Sequence, residues 1–205
     1  MVDGQRLEEP GTGGSAQIIP KFPLTQIEHV EFIRGPGAAI YGSNAMMGVI
    51  NITTLSYVKM ASASYGSFNR RNFSILNTQQ IGDAVVDFFA HIDTDDGDNF
   101  NVQDTFSSER INTDDPRKVT NINLNVNWHD TTINLQHNQF KGENFYSIDL
   151  LSNGFSSFSS RLSSIALKQE FTWESVSSWF WLSYNRSEFN TYLQGTAKGD
   201  LLLAS

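Results

Sequence analysis

Val119-Thr120-Asn121-Ile122-Asn123-Leu124-Asn125-Val126-Asn127-Trp128 sets Ile122, Leu124, Val126 and Trp128 on one face of an extended chain and four asparagines on the other. Side chains alternate across a strand, so a period of two marks a strand whose two faces meet different surroundings. Asparagine is a poor strand former. Four of them in a row of alternate positions make sense where that face lines a wet lumen, with the apolar face toward lipid and the terminal tryptophan at a membrane interface. The stretch reads as one strand of a transmembrane β-barrel.

Working outward, His129-Asp130 makes a tight connection, and residues 131–140 set Ile133 and Leu135 against Asn134, Gln136 and Asn138, the expected hairpin partner. Residues 141–160 form a long connection rich in Ser, Asn and Gly. Residues 161–172 resume the pattern, with Ile165, Leu167 and Phe171 opposing Lys168 and Glu170, and Trp173-Glu174 is a short turn. Residues 175–188 follow with Val176, Phe180, Leu182 and Tyr184 evenly spaced, while Trp179 and Trp181 blur which face meets lipid. Upstream, residues 57–68, 71–78 and 84–93 fit three more strands, joined near residues 67–69 and at Ile81-Gly82-Asp83. Residues 94–118 are the longest connection. Short turns on one side and long connections on the other follow the outer-membrane barrel pattern, with Gly82-Asp83, His129-Asp130 and Trp173-Glu174 on the periplasmic side.

Bulk properties agree with this class. The chain has 205 residues, no cysteine, a formal net charge of -8 and 39% hydrophobic residues. No run approaches the roughly 18 apolar residues of a transmembrane helix, whereas barrel strands need only about 9 to 11 residues of alternating polarity. Without cysteine there is no disulfide framework. The acidic balance argues against a nucleic-acid partner, which requires a basic surface. Residues 1–10 have neither an apolar core nor a small-residue cleavage site, so they are not a signal peptide. An exported protein needs one, and the expectation is a leader already removed or a start inside a longer gene product.

Residues 1–56 differ in texture. Ile27-Glu28-His29-Val30-Glu31-Phe32-Ile33-Arg34 alternates at period two and stops at Gly35-Pro36-Gly37, a strand followed by a tight turn. Ala38-Ala39-Ile40-Tyr41-Gly42 has room for one helical turn, and Gly48-Val49-Ile50-Asn51-Ile52-Thr53 is β-branched and strand-like. The expected organisation is a mixed α/β unit over residues 1–56, then antiparallel transmembrane β-barrel strands over residues 57–205. About seven strands make an incomplete barrel.

Residues 27–53 strongly resemble the plug of TonB-dependent outer-membrane receptors. The family pattern is I-E-x-I-E-V-x-R-G-P followed by Y-G-x-x-A-x-x-G-V-I-N-I. The chain matches it at Ile27, Glu28, Glu31, Arg34, Gly35, Pro36, Tyr41, Gly42, Ala45, Gly48, Val49, Ile50, Asn51 and Ile52. Val2-Asp3-Gly4 also resembles an upstream D-G element of the plug. The glycines permit positive φ and close backbone approach, and Pro36 fixes a turn. The resemblance implies that Glu28, Glu31 and Arg34 hold the plug against the polar barrel wall, while Gly35, Pro36, Tyr41, Gly42, Gly48 and Asn51 shape it. It also implies uptake of a scarce, large nutrient of the iron-siderophore, haem or cobalamin class, in the bacterial outer membrane, with a TonB complex and outer-membrane lipid as partners. No catalytic residue and no cofactor are implied. Phe145, Tyr146 and Phe155, in a long outer connection, are candidate ligand contacts.

Weaker signals stay weak. Asp93-Thr94-Asp95-Asp96-Gly97-Asp98 has the acids of a calcium loop in the wrong register. His29, His91, His129 and His137 have no metal-ligand spacing, so no metal is expected. Two other classes share the strand rhythm. A plugless channel has no use for the residues 34–42 motif, and a β-rich surface adhesin would stay folded without detergent. Seven strands do not close a barrel, and an open sheet in lipid leaves two unsatisfied edges. The sequence thus reads as a partial receptor, not expected to transport on its own.

Overall fold

In the computed structural model, residues 1–5, 22–35, 48–103, 108–144 and 156–192 are described. A small N-terminal unit contains β1 (Ile27–Arg34) and β2 (Gly48–Thr54), paired antiparallel with Val30 opposite Ile52 and Arg34 opposite Gly48. Val2 bridges Ile52 in parallel, fixed by Asp3 N–H to the Ile52 carbonyl at 3.0 Å and Ile52 N–H to the Met1 carbonyl at 2.9 Å. Within this unit the described helical structure is a 3-10 turn at Leu24–Gln26. The helical turn expected at residues 38–42 lies outside the described residues, and the described part of the unit, two strands and a 3-10 turn, does not show the expected mixed α/β character.

The expected rhythm of strands then follows: β3 (Lys59–Tyr65), β4 (Arg71–Ile81), β5 (Ala84–Asp95), β6 (Asn99–Gln103), β7 (Arg110–Asp114), β8 (Arg117–Trp128), β9 (Thr131–Glu143), β10 (Ser157–Trp173) and β11 (Val176–Tyr192). Seven of them form one antiparallel sheet in the order β11-β10-β9-β8-β5-β4-β3. These are the seven strands read from the alternation, each beside its neighbour in that reading. The sheet is open, with β3 and β11 at its edges, and among the described residues it does not close into a barrel. Tight turns lie where positive φ is available: Gly82 at +60° and His129 at +50°. Trp173 pairs directly with Val176, so the last turn is Glu174-Ser175, one residue later than expected.

The 94–118 connection holds more order than its sequence advertises. β6 and β7 pair as a separate hairpin, with Asn101 donating to Asn112 at 2.7 Å and Arg110 Nε to Asn101 at 2.6 Å. Asn and Asp are weak strand formers, and five-residue strands built on them leave little pattern to read.

Register assigns the faces, because directly paired residues point to the same side. Ile122 lies opposite Ala90 and His137, Leu124 opposite Phe88 and Leu135, and Val126 opposite Val86 and Ile133. The same face continues across β10 and β11 as Ile165 with Tyr184, Leu167 with Leu182 and Trp173 with Val176. From Trp173 to Ser163 the strand advances about 33 Å at roughly 3.3 Å per residue, which at a tilt of about 40° spans ~25 Å, the height of a lipid-facing barrel band. Ion pairs stand at its outer rim, Arg161 with Glu188 at 2.9 Å and Arg186 with Glu188 at 2.6 Å.

Polar residues hold the opposite face. Asn121 donates to Asn138 at 2.7 Å, Asn134 to Asn123 and Asn125 at 3.1 Å each, and Thr132 to Asn127 at 2.9 Å. The asparagines therefore bond one another across the β8–β9 pair, although the buried Asn121 Oδ1 and the Gln136 side-chain amide find no hydrogen-bond partner among the described residues. Asn121, Asn123, Asn134, Gln136 and Asn138 are also buried, because the N-terminal unit sits near them, so this stripe is a covered seat instead of an open wet wall. The apolar core straddles the junction: Val2, Phe22 and Ile52 of the small unit enclose Leu162 of β10.

Candidate functional site

The seat is built by three consecutive residues, Asp3, Gly4 and Gln5, reaching three strands. Gly4, at φ +77°, lies against the indole of Trp181 on β11, and the Gln5 side-chain amide donates to Asn134 on β9. Asp3 accepts from Thr54 N–H at 2.9 Å and Thr54 Oγ1 at 2.8 Å, and also takes a bond from Asn123 on β8. Thr25 adds a hydroxyl contact to Ser74 of β4 at 3.5 Å, and Ser74 in turn meets His91 Nδ1 at 2.7 Å. Trp179 and Trp181, ambiguous by pattern, pair with Glu170 and Lys168 and so lie on the inner face.

Burial pushes the Asp3 carboxyl above the ordinary aspartate value, against the bonds from Thr54 and Asn123, and the charge of Asp87 adds to the rise. A raised folded-state pKa means that the seated N-terminal unit favours the protonated acid. The stability from this group is fully present below the unfolded value of about 3.9 and is lost as pH rises through the raised folded value. The pairing of residues 1–3 with β2 around Asp3, followed by amide exchange at the Asp3 N–H and Ile52 N–H bonds, is expected to tighten on acidification through that window. In Asp3→Asn the excess pH dependence over other groups disappears. An unchanged pH profile in the variant would remove Asp3 from this role.

Above the seat, toward the long connections, a cavity of about 500 Å³ opens between Phe22, Pro23, Leu24 and Thr25 and the inner face of β4, β5, β8 and β9. Its wall carries two ion pairs. Arg70 grips Asp93 with Nε at 3.0 Å and Nη2 at 2.5 Å, and Arg117 Nε stands 3.4 Å from Asp95. Phe140, Phe158 and Phe189 continue the inner face as an aromatic row, with ring centroids 4.9 and 5.4 Å apart.

Of the residues singled out by sequence, Glu28, Glu31 and Arg34 lie exposed on β1. Glu31 accepts from Asn51 at 3.0 Å and stands 4.0 Å from His29, both within the β1–β2 unit. Gly35 has φ +105° and Gly48 φ +151°. Pro36, Tyr41 and Gly42, and likewise Phe145, Tyr146 and Phe155, lie outside the described residues. The contacts made to the seven-stranded wall come instead from Asp3, Gly4, Gln5 and Thr25. Only the Asp3-Gly4 pair carried a signal in the sequence. Among the described residues, no group of three or more His, Asp or Glu side chains is arranged to hold a metal ion.

The described residues thus form an open strand-built sheet, apolar on one face and polar on the other, with a small separate unit seated on the polar face. Residues 1–49 match the family model of the TonB-dependent receptor plug domain. The family is one of outer-membrane receptors and transporters and not of enzymes, and its intact members work with TonB. No helix among the described residues is long and apolar enough to cross a membrane, which leaves crossing by strands open.

Proposed function

We propose that the chain forms the plug and adjoining wall of a TonB-dependent receptor for a scarce, large nutrient of the iron-siderophore, haem or cobalamin class. Residues 1–56 are the plug part and residues 57–205 the barrel part. The observation that carries this reading is the matched plug unit resting on the amide-lined face of a sheet whose other face is apolar. Among the described residues β3 and β11 have unpaired edges, which lipid does not tolerate, and this reading has other strands meet them. Glu28, Glu31 and Arg34, exposed on the hairpin, are available to those strands and hold the plug from that side. Ligand arrives from the side of the long connections, and Phe145, Tyr146 and Phe155 are kept as candidate contacts from their sequence alone. TonB, acting on the intact receptor, shifts the plug.

The four tryptophans test the orientation. Trp128 and Trp173 lie on the apolar face, Trp179 and Trp181 on the inner face. In vesicles containing brominated lipid, single-tryptophan variants retaining Trp128 or Trp173 are expected to lose most of their fluorescence, and those retaining Trp179 or Trp181 to keep most of it. Equal quenching of all four would overturn the assignment of faces. A chain folded in water without detergent, with no quenching, would instead favour a soluble adhesin.

A further inference from the structure

The cavity beneath Phe22 has a chemistry that the receptor reading does not supply. Its two ion pairs are lopsided: the Asp93 and Asp95 side chains are 13% and 8% exposed, while their partners Arg70 and Arg117 are 57% and 53% exposed. The carboxylates are spent inward, on bonds along the β5 wall, and the guanidiniums face open space. Arg70 binds Asp93 through Nε and Nη2, leaving Nη1 with both its protons. A guanidinium has five donors in a fixed fork, and an arginine already anchored by one carboxylate is pre-positioned to offer the rest to a second anion. The two arginines approach β5 from its two flanks, Arg70 beside β4 and Arg117 from β8. Because Asp93 and Asp95 are two residues apart on one face of β5, the two forks are set about 7 Å apart along the strand.

Beside this cationic edge the lining turns apolar, with Phe22 and Phe140 in the same cavity and the aromatic row continuing to Phe158. A volume of about 500 Å³ falls in the range of small-molecule sites, which combine an apolar body with a few placed polar groups. We infer that this cavity is a binding site for an anionic small molecule in which a carboxylate is joined to an apolar, ring-bearing body. The carboxylate lies between Arg70 and Arg117, and the ring lies against Phe22 and Phe140. This deepens the receptor reading, on which it depends for the side from which the molecule arrives.

Benzoate and benzamide, which share shape and differ in charge, are the probes. The full chain in detergent micelles is titrated with each while the arginine Nε–H resonances are followed. Benzoate is expected to bind at least about tenfold more tightly than benzamide, with the Arg70 and Arg117 resonances moving most. Arg117→Gln, whose 3.4 Å contact contributes little to the fold, is expected to cut that preference to about threefold or less. The double change with Arg70→Gln is expected to abolish it. Equal binding of the two probes, binding of neither, or a preference that survives both substitutions overturns the site. The wild-type comparison needs no variant to fold, and the tryptophan quenching remains a separate reading of the membrane wall, so either proposal fails without the other.

Discussion

Replacing Gly48 with alanine is expected to break the pairing of β1 with β2 and unseat the plug. Gly48 opens β2 at φ +151°, a conformation that side-chain-bearing residues rarely adopt, and an added Cβ would stand 2.6 Å from the carbonyl oxygen of Ile33. That oxygen belongs to the backbone of the paired strand, so no side chain can swing away to relieve the contact. Strained backbone of this kind costs about 1–3 kcal/mol, and the collision adds to it, so a total near 3 kcal/mol or more is expected. Amide hydrogen exchange at Ile50 and Ile52 reads the loss directly. Gly35→Ala supplies the control: its φ of +105° is also unfavourable, but nothing lies within 4 Å of the added atom, and a cost of only about 1–2 kcal/mol is expected. Equal exchange in the two variants would show that the backbone contact does not govern this hairpin.

Leu162→Ala is expected to loosen the plug while leaving the sheet standing. Leu162 is fully enclosed by Val2, Phe22 and Ile52, three residues from the opposite side of the junction. Truncating a buried leucine removes its transfer free energy and leaves a cavity, together about 2–5 kcal/mol. Here the void lies between two units, so the loss falls on their docking and not on the β9–β10–β11 ladder. Ile165→Ala, three residues along β10 on the apolar face, is the comparison, with an effect on seating below about 1 kcal/mol. Protease access to residues 22–35 in detergent measures seating, and far-UV circular dichroism measures the sheet. If both substitutions exposed the plug equally, or neither did, the shared core would not be what holds it.

Much of the wall was legible because lipid and a polar interior impose opposite demands on alternate residues. Asn121 to Asn127 and Ile122 to Trp128 could be sorted with no knowledge of their partners, and the register then paired every one of them as the alternation required. The reading failed where one face carried the wrong polarity for its class. Trp179 and Trp181 are apolar on the inner face because one of them covers Gly4, and Leu162 is apolar there because the plug supplies its surroundings. Both positions blur an alternating pattern, and the blur marks where another element docks. The β6–β7 hairpin escaped for a different reason: short strands of Asn, Asp and Arg have no buried face to write a pattern.

By itself the sequence determined the seven strands of the main sheet and the family pattern that residues 27–53 resemble, since local alternation and a run of turn-forming glycines are properties of consecutive residues. Only the tertiary structure decided how the plug is held, by Asp3, Gly4 and Gln5 on β8, β11 and β9, and which charges line the outer cavity. The partners of these contacts lie about 50 to 180 residues apart in the chain. No spacing rule spans such gaps, because their closeness arises from the register of the strands between them.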